Sequence, residues 1–221
     1  MANPAGPGEG RAPVELSEPT PQMWPAVLRH GRVTLRPIRL SDYGAWREVR
    51  MRNERWLTPW EPTAPQSWTA RHRLRSFLRL RSHLRYAART DRMVPFILDI
   101  DGQLAGQVNL GPMLRGVLRS ADIGYWIDQR FAGQGLVPIG VALAVRHAFA
   151  ECGLHRVHAA VRPENAASLR VMAKLGFREE ARYRRYLDID GDWRDHVGFA
   201  LTTEDDLSAL DATLTPRRSE R

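Results

Sequence analysis

Cysteine and lysine are almost missing from this chain, and the two absences exclude different things. Cys152 is the single cysteine, so no internal disulfide can form, and a protein of the reducing cytoplasm is expected. Lys174 is the single lysine among 33 Lys and Arg residues. The net charge of +8 is therefore carried by arginine, a skew that reflects genome base composition more than function. Long apolar runs are lacking too. The longest, Leu136 to Val145, contains Pro138 and stops at Arg146, far short of the roughly 20 residues of a membrane span. Glu9, Arg11 and Glu15 stand where the core of a signal peptide would be. The seven histidines show no metal-ligand spacing. His155 and His158, three apart in a strand-like segment, point to opposite faces.

What remains is the material of one globular domain, 221 residues of which 43% are hydrophobic. Residues 1–26, rich in Pro and Gly, read as a disordered tail, 27–203 as the domain, and 204–221 as a second tail. Within the domain, strand and helix signals alternate. "RVTLRPI" alternates polar and apolar like a half-buried strand. Ser41 offers an N-cap for a helix over Asp42 to Asn53, and Ser67 can cap a second one reaching about Ala88. "VPFILDIDGQLAGQVNL" is a hairpin about Asp101-Gly102, and "ADIGYWID" is a strand. Pro138 to Glu151 is a helix ending near Gly153. "HRVHAAV" is a strand, "NAASLRVMAKLGF" a helix closed by Gly176, and "YRRYLDIDGDWRDHVGFAL" a hairpin turning at Asp190-Gly191. The order β-α-α-β-β-β-α-β-α-β-β describes an α+β fold with a mixed, mostly antiparallel sheet, not a doubly wound one.

"FAGQGLVPIG", Phe131 to Gly140, sets Gly133 and Gly135 between a strand and a helix. A dinucleotide fingerprint would need a third glycine where Pro138 stands, and a P-loop needs Gly-Lys-Ser/Thr. Two readings stay open. One is a tight strand-to-helix turn. The other is a cradle in which backbone N–H groups and a helix N-terminus hold a diphosphate.

"DIGYWIDQRFAGQG", "LHRVHAAVRPENAASLRVMAKLGFREE" and "YRRYLDIDGDWRDHVGFAL", in that order, resemble the GNAT acetyltransferase superfamily, and within it the Rim-type enzymes that acetylate ribosomal-protein N-termini. "RPIRLSDY" is similar to the family's first strand and helix, so the resemblance runs from roughly Val33 to Leu201. It implies a GNAT fold, acetyl-CoA as cosubstrate, no metal, and a protein N-terminus as acceptor. It implies that Gly133, Gln134, Gly135, Leu136 and Val137 hold the pyrophosphate and that Trp126 and Ile127 pair with the pantetheine arm. It also implies that Ser168 protonates the leaving thiolate and that Asn165 contacts cofactor or substrate. The superfamily loop reads Gln/Arg-x-x-Gly-x-Gly/Ala. Here Ala132, Gly135 and Val137 fill those places, which keeps the backbone donors. Where a Rim-type base carboxylate aligns, this chain has Arg185, which cannot act as a base.

The residues themselves add further candidates. Asp122 is offered as the general base, with a water chain as the alternative. Tyr125 and Tyr186, with Trp56 and Trp60 of "WLTPWEP", are candidates for the acceptor groove, the tryptophans being equally readable as core. Asp188 or Asp190 can attract a substrate ammonium; the glycine of "DIDGDWRD" is misplaced for an EF-hand. Asn165 and Ser168, three apart, share a helix face and fit an N-cap and a first-turn residue. A site without a strong base suits an α-amine, with a pKa of about 7.7–8.0, better than a lysine near 10.4. Arg71 to Arg89 holds seven arginines and no acid. With Leu74, Phe77, Leu78 and Leu84 as its apolar stripe, it is either a solvated face or a dock for RNA or the ribosome. Acetylation of a small amine such as an antibiotic or polyamine, or a weakly catalytic GNAT module that binds CoA or RNA, are the alternative functions.

Overall fold

The computed structural model describes residues 23–215. Strands β1 (Leu28–His30) and β2 (Val33–Arg36) form a short hairpin, followed by helices α1 (Tyr43–Arg52), α2 (Glu54–Leu57), α3 (Trp68–Arg71) and α4 (Leu74–Arg89). Then come β3 (Val94–Ile100), β4 (Gln103–Leu114), β5 (Ser120–Ile127), α5 (Leu136–Ala150), β6 (Arg156–Val161), α6 (Ala166–Lys174), β7 (Arg178–Ile189), β8 (Asp192–Thr202) and α7 (Ser208–Leu214). The eight strands make one sheet in the order β1-β2-β3-β4-β5-β6-β8-β7. Every pairing is antiparallel except β5 with β6. The α+β architecture read from the sequence is the one found.

Strand β3 shows how the sheet is sandwiched. All seven of its residues are buried, as a strand covered on both faces must be. Phe96, Leu98 and Ile100 join the core beneath α5, whereas Ile97 joins Trp46, Phe77 and Leu84 beneath α1 and α4. Alternating residues thus feed two separate cores.

Several boundaries differ from the sequence reading. The strand β1 was not foreseen, because three residues carry no periodicity. The helix begun at Ser67 is not continuous to Ala88. Ser67 caps only α3, its Oγ accepting the Ala70 N–H at 3.4 Å, and the chain breaks at His72 and extended Arg73. The cause is tertiary: buried His72 is held by the Arg50 guanidinium at 2.9 Å and the Trp68 carbonyl at 2.6 Å. The stripe of α4 is also different. Phe77 and Leu84 are buried, with Leu80 packed beside them and Ala87 and Ala88 below, while Leu74 and Leu78 are exposed.

The tails need correction where they are described. Met23 and Trp24 belong to the core, Met23 being buried and the Trp24 ring lying 6.4 Å from Phe96. At the other end, residues 208–214 are α7, whose Leu210 is buried in the same core and whose Asp211 pairs with Arg146 of α5. Residues 1–22 and 216–221 of the two expected tails lie outside the described residues. No helix among the described residues is long and apolar enough to cross a membrane.

Candidate active site

The site begins with a defect in the sheet. Strands β5 and β6 pair over only three residue pairs, Ser120 to Asp122 with Arg156 to His158. Past that point β5 pairs only with β4 and β6 only with β8, so the two strands part. Alternate N–H and C=O groups of β5 then face the gap, as on any strand edge. A cavity of about 240 Å³ fills the fork, with Gly124 and Tyr125 on one wall and Ala160 and Val161 on the other. Asn165 and Ser168 of α6 close it on one side, and Trp60, Arg162 and His196 on the other.

Beside the fork, the loop after β5 is fixed by Asp128. Its carboxylate is fully buried and accepts from Arg52 at 2.7 Å, Asn53 at 2.9 Å and Arg130 at 3.0 Å. Burial pushes its pKa up, but the hydrogen bonds from Arg52, Asn53 and Arg130 outweigh that and hold it at about 2. The chain then passes through Gly133 and Gly135, both at φ 75°, a left-handed conformation that glycine adopts without strain. A Cβ at Gly133 would meet nothing within 4 Å, and one at Gly135 would meet only the Lys174 ammonium, at 4.0 Å. The glycines therefore answer a backbone requirement, and the space over them is open. The N-terminus of α5 has no side-chain cap and no acid in its first turn, so its N–H donors are unclaimed by side chains. Leu136 is buried and Val137 packs on the core, which leaves their backbone for binding. Gln134 donates to the Arg130 carbonyl at 2.9 Å and tightens the loop.

Asn165 is the N-cap of α6; its Oδ1 accepts the Ser168 N–H at 3.0 Å. Ser168 also lines the cavity, so capping and a place at the site coexist. The Tyr125 hydroxyl is buried without a well-formed hydrogen bond among the described residues. Burial raises its pKa to about 12, and the neighbouring Ser168 hydroxyl lowers it only slightly against that. A buried O–H beside Ser168 with no well-formed partner is available to bond a ligand atom.

A strapped loop forms a further wall of the cavity. Arg162 donates to the Pro59 carbonyl at 2.7 Å and lies over the Trp60 ring at 5.3 Å, which fixes Trp60 at the cavity wall. Farther on, Pro62 bridges to Ile189, and Thr63 Oγ1 donates to Asp188 at 2.5 Å. Asp188 is thus engaged by the strap. Trp56, readable equally as groove or core, donates its indole N–H to the Ile127 carbonyl at 3.0 Å and fixes the end of β5. Trp126 turns its ring under the Arg50 guanidinium, 4.9 Å away, so its side chain belongs to the α1 layer. Tyr186 stacks on Tyr183 at 4.7 Å and meets the His196 ring edge-on at 5.8 Å, one layer behind the cavity wall.

Asp122 does not line the cavity. It is half-exposed and accepts from His158 Nδ1 at 3.2 Å, while His158 Nε2 lies 3.4 Å from the Tyr183 hydroxyl. The structure engages it with a histidine on the strand next door. Arg185 sits in a bulge of β7 at φ 47°, its N–H donated to Asp195 at 2.8 Å. Three cavity or loop residues escaped the sequence reading: Lys174, Arg162 and His196. Lys174 had one signal, its being the only lysine; the other two had none.

This arrangement, a forked sheet with an uncapped helix N-terminus and an ammonium beside it, suits an extended ligand that carries an anionic group. The residues fit coenzyme A: the free edge of β5 suits an amide-bearing arm, and the Gly133–Gly135 loop with Lys174 suits a diphosphate. A family model described as an acetyltransferase (GNAT) domain matches residues 32–178. The chain belongs to the GNAT acetyltransferase family, whose acyl donor is acetyl-CoA.

Among known proteins, it is 32% identical over 174 residues to the Escherichia coli (strain K12) "[Ribosomal protein uS5]-alanine N-acetyltransferase", covering 75% of this chain and 86% of that one. It is 42% identical over 106 residues to "Probable N-acetyltransferase YjcK" of Bacillus subtilis (strain 168), covering 48% of this chain; the match spans only 59% of that relative's length. The solved structure "Mycobacterium smegmatis RimJ in complex with CoA-disulfide" superposes with a TM-score of 0.84 at 40% identity, over 87% of this chain and 94% of that one.

Proposed function

We propose that the chain acetylates the α-amine of a protein N-terminus, that of a ribosomal protein, by direct attack on bound acetyl-CoA. The observation that carries the choice of acceptor is the composition of the cavity wall. Among the described residues that line it there is no aspartate or glutamate, and there is one cation, Arg162. A polyamine or aminoglycoside brings several positive charges and needs carboxylates to meet them. A peptide brings one ammonium and a backbone of neutral donors and acceptors, for which Trp60, Asn165 and an open strand edge are suited. The Escherichia coli relative that is 32% identical, named for a ribosomal-protein alanine, supports the same reading.

In this reading the Ser168 hydroxyl supplies the proton to the departing sulfur, and the backbone of β5 past Asp122 orients the thioester. The test is acetyl transfer to a panel of N-terminal peptides, N-blocked lysine peptides, spermidine and an aminoglycoside. α-Amine peptides turned over at least tenfold faster than the rest are the expected result. Preferential acetylation of spermidine or the aminoglycoside would overturn it. Mass spectrometry of ribosomal-protein N-termini from cells with and without the protein then names the target.

A further inference from the structure

His196 stands in the cavity wall with one ring nitrogen committed and the other free. It is buried on β8, next to the turn that follows β6. Its Nδ1 lies 3.0 Å from the Arg194 carbonyl oxygen. A carbonyl can only accept, so Nδ1 carries the proton. Nε2 is then an unprotonated acceptor, with no partner among the described residues. The His196 residue lines the same cavity as Ser168, Asn165 and Tyr125.

Resting on the α-amine reading above, we propose that His196 Nε2 is the general base of the reaction, taking a proton from the acceptor ammonium at the Trp60 side of the fork. Of the three protons on that nitrogen, one stays in the amide. One goes to Nε2 and on to water. The third leaves with the sulfur through the Ser168 hydroxyl as the C–N bond forms and the C–S bond breaks. The supply of base by a histidine accounts for Arg185 and for Asp122 lying outside the cavity.

The groups around the ring keep it neutral. Burial lowers its pKa below the ordinary 6.5. The Arg194 carbonyl works in the opposite sense; Arg162 adds to the lowering, and Glu164 and Asp195 raise it. Glu164 is itself paired with Arg162 at 3.1 Å, and the Tyr186 phenol borders the ring from β7. Whatever the base, an α-ammonium of pKa about 7.7–8.0 gives up its proton roughly 250–500-fold more readily than a lysine ammonium near 10.4, which agrees with the α-amine reading.

The decisive variant is His196→Asn, whose side-chain amide can still donate to the Arg194 carbonyl but has nothing at Nε2. His196→Gln, which places a non-basic group there, is its companion. We expect both to bind acetyl-CoA within about twofold of the parent and to lose about 6- to 11-fold in turnover at pH 7, because roughly a tenth of an α-amine of pKa 7.7–8.0 is neutral there without help. The deficit should shrink as pH rises through the α-amine pKa, because neutral amine then arrives without help. A constant deficit at all pH values, or none, in folded variants overturns the proposal. A second readout needs no turnover: NMR of the parent should show the Nδ1–H tautomer at pH 7, and an Nε2–H tautomer or an imidazolium overturns it. If the parent acetylates spermidine rather than peptides, the choice of acceptor fails, while the pH dependence of the variants still decides the role of His196.

Discussion

The ammonium of Lys174 lies 4.0 Å from the place a side chain at Gly135 would occupy. A residue at the end of α6 thereby delivers the chain's only lysine to the N-terminus of α5. Two sources of positive potential, the helix end and a full charge, converge on one open space. Lys174→Ala should weaken acetyl-CoA binding by about 10–100-fold, the magnitude of a lost charge-assisted hydrogen bond, and leave the melting temperature of the free protein nearly unchanged. Gly135→Glu should abolish binding, adding both a strained φ and a negative charge. Parent protein at a hundred times Kd gains about 2.7 kcal/mol, which thermal shift reads directly. A full shift in Gly135→Glu would remove the loop from the cofactor site.

Ser168 and Tyr125 share the cavity, yet their removal should separate. Ser168→Ala should lower kcat by about 10²–10⁴-fold with little change in acetyl-CoA affinity. Tyr125→Phe deletes a buried hydroxyl that lacks a good partner, so its stability should be unchanged or slightly higher. A fall in kcat comparable to that of Ser168→Ala would transfer the acid role to Tyr125. Steady-state kinetics with urea melts of the two variants decides.

Stability should depend on pH through His72. Burial and the adjacent Arg50 lower its pKa from 6.5 to about 4. The unfolded chain therefore binds a proton between pH 6.5 and 4 that the folded chain refuses. Stability is complete above about 6.5 and declines as pH falls toward 4, by up to about 3 kcal/mol from this group. His147 and His196 are lowered too and act in the same sense, so the contribution of His72 is the difference between parent and His72→Gln. The variant should be less stable at pH 7 and lose less on acidification. Parallel pH profiles would show that His72 titrates normally.

Arginines 75 and 79 are exposed on α4 beside exposed Leu74 and Leu78. With the Rim-type reading, this face is the candidate contact with ribosomal RNA. Arg75→Gln with Arg79→Gln should reduce co-sedimentation with ribosomes at low salt and flatten its salt dependence. Acetylation of a free peptide should be unaffected. Equal co-sedimentation would return this face to the role of solvated surface.

The parts of the molecule legible in the sequence are those fixed by neighbouring residues. Asp101-Gly102 and Asp190-Gly191 turn because both residues of each pair take positive φ, and the sequence states that requirement openly. Gly133 and Gly135 were legible for the same reason. Asn165 caps Ser168 across three residues, within reach of any local reading. What escaped depends on contacts across long separations. The break before α4 follows from Arg50 holding His72. Asp122 reads as a base on a strand, but its partner His158 arrives from the parallel neighbour. His196 is one of seven histidines until β8 sets it beside the end of β6.

The three residue pairs joining β5 to β6 carry a consequence for how the molecule deforms. Five strands lie on one side of that seam and three on the other. Across the seam the backbone is stitched over barely a single side-chain repeat, while α5 packs on strands of both halves. A thiol carrier, if seated in the fork, would take the place of the absent stitches along β5. Occupancy should therefore be felt as stiffness: amide exchange along Ile123 to Ile127 slows when the cofactor is bound, and the angle between the halves narrows in its fluctuations. Release of the spent carrier then has to reopen the seam.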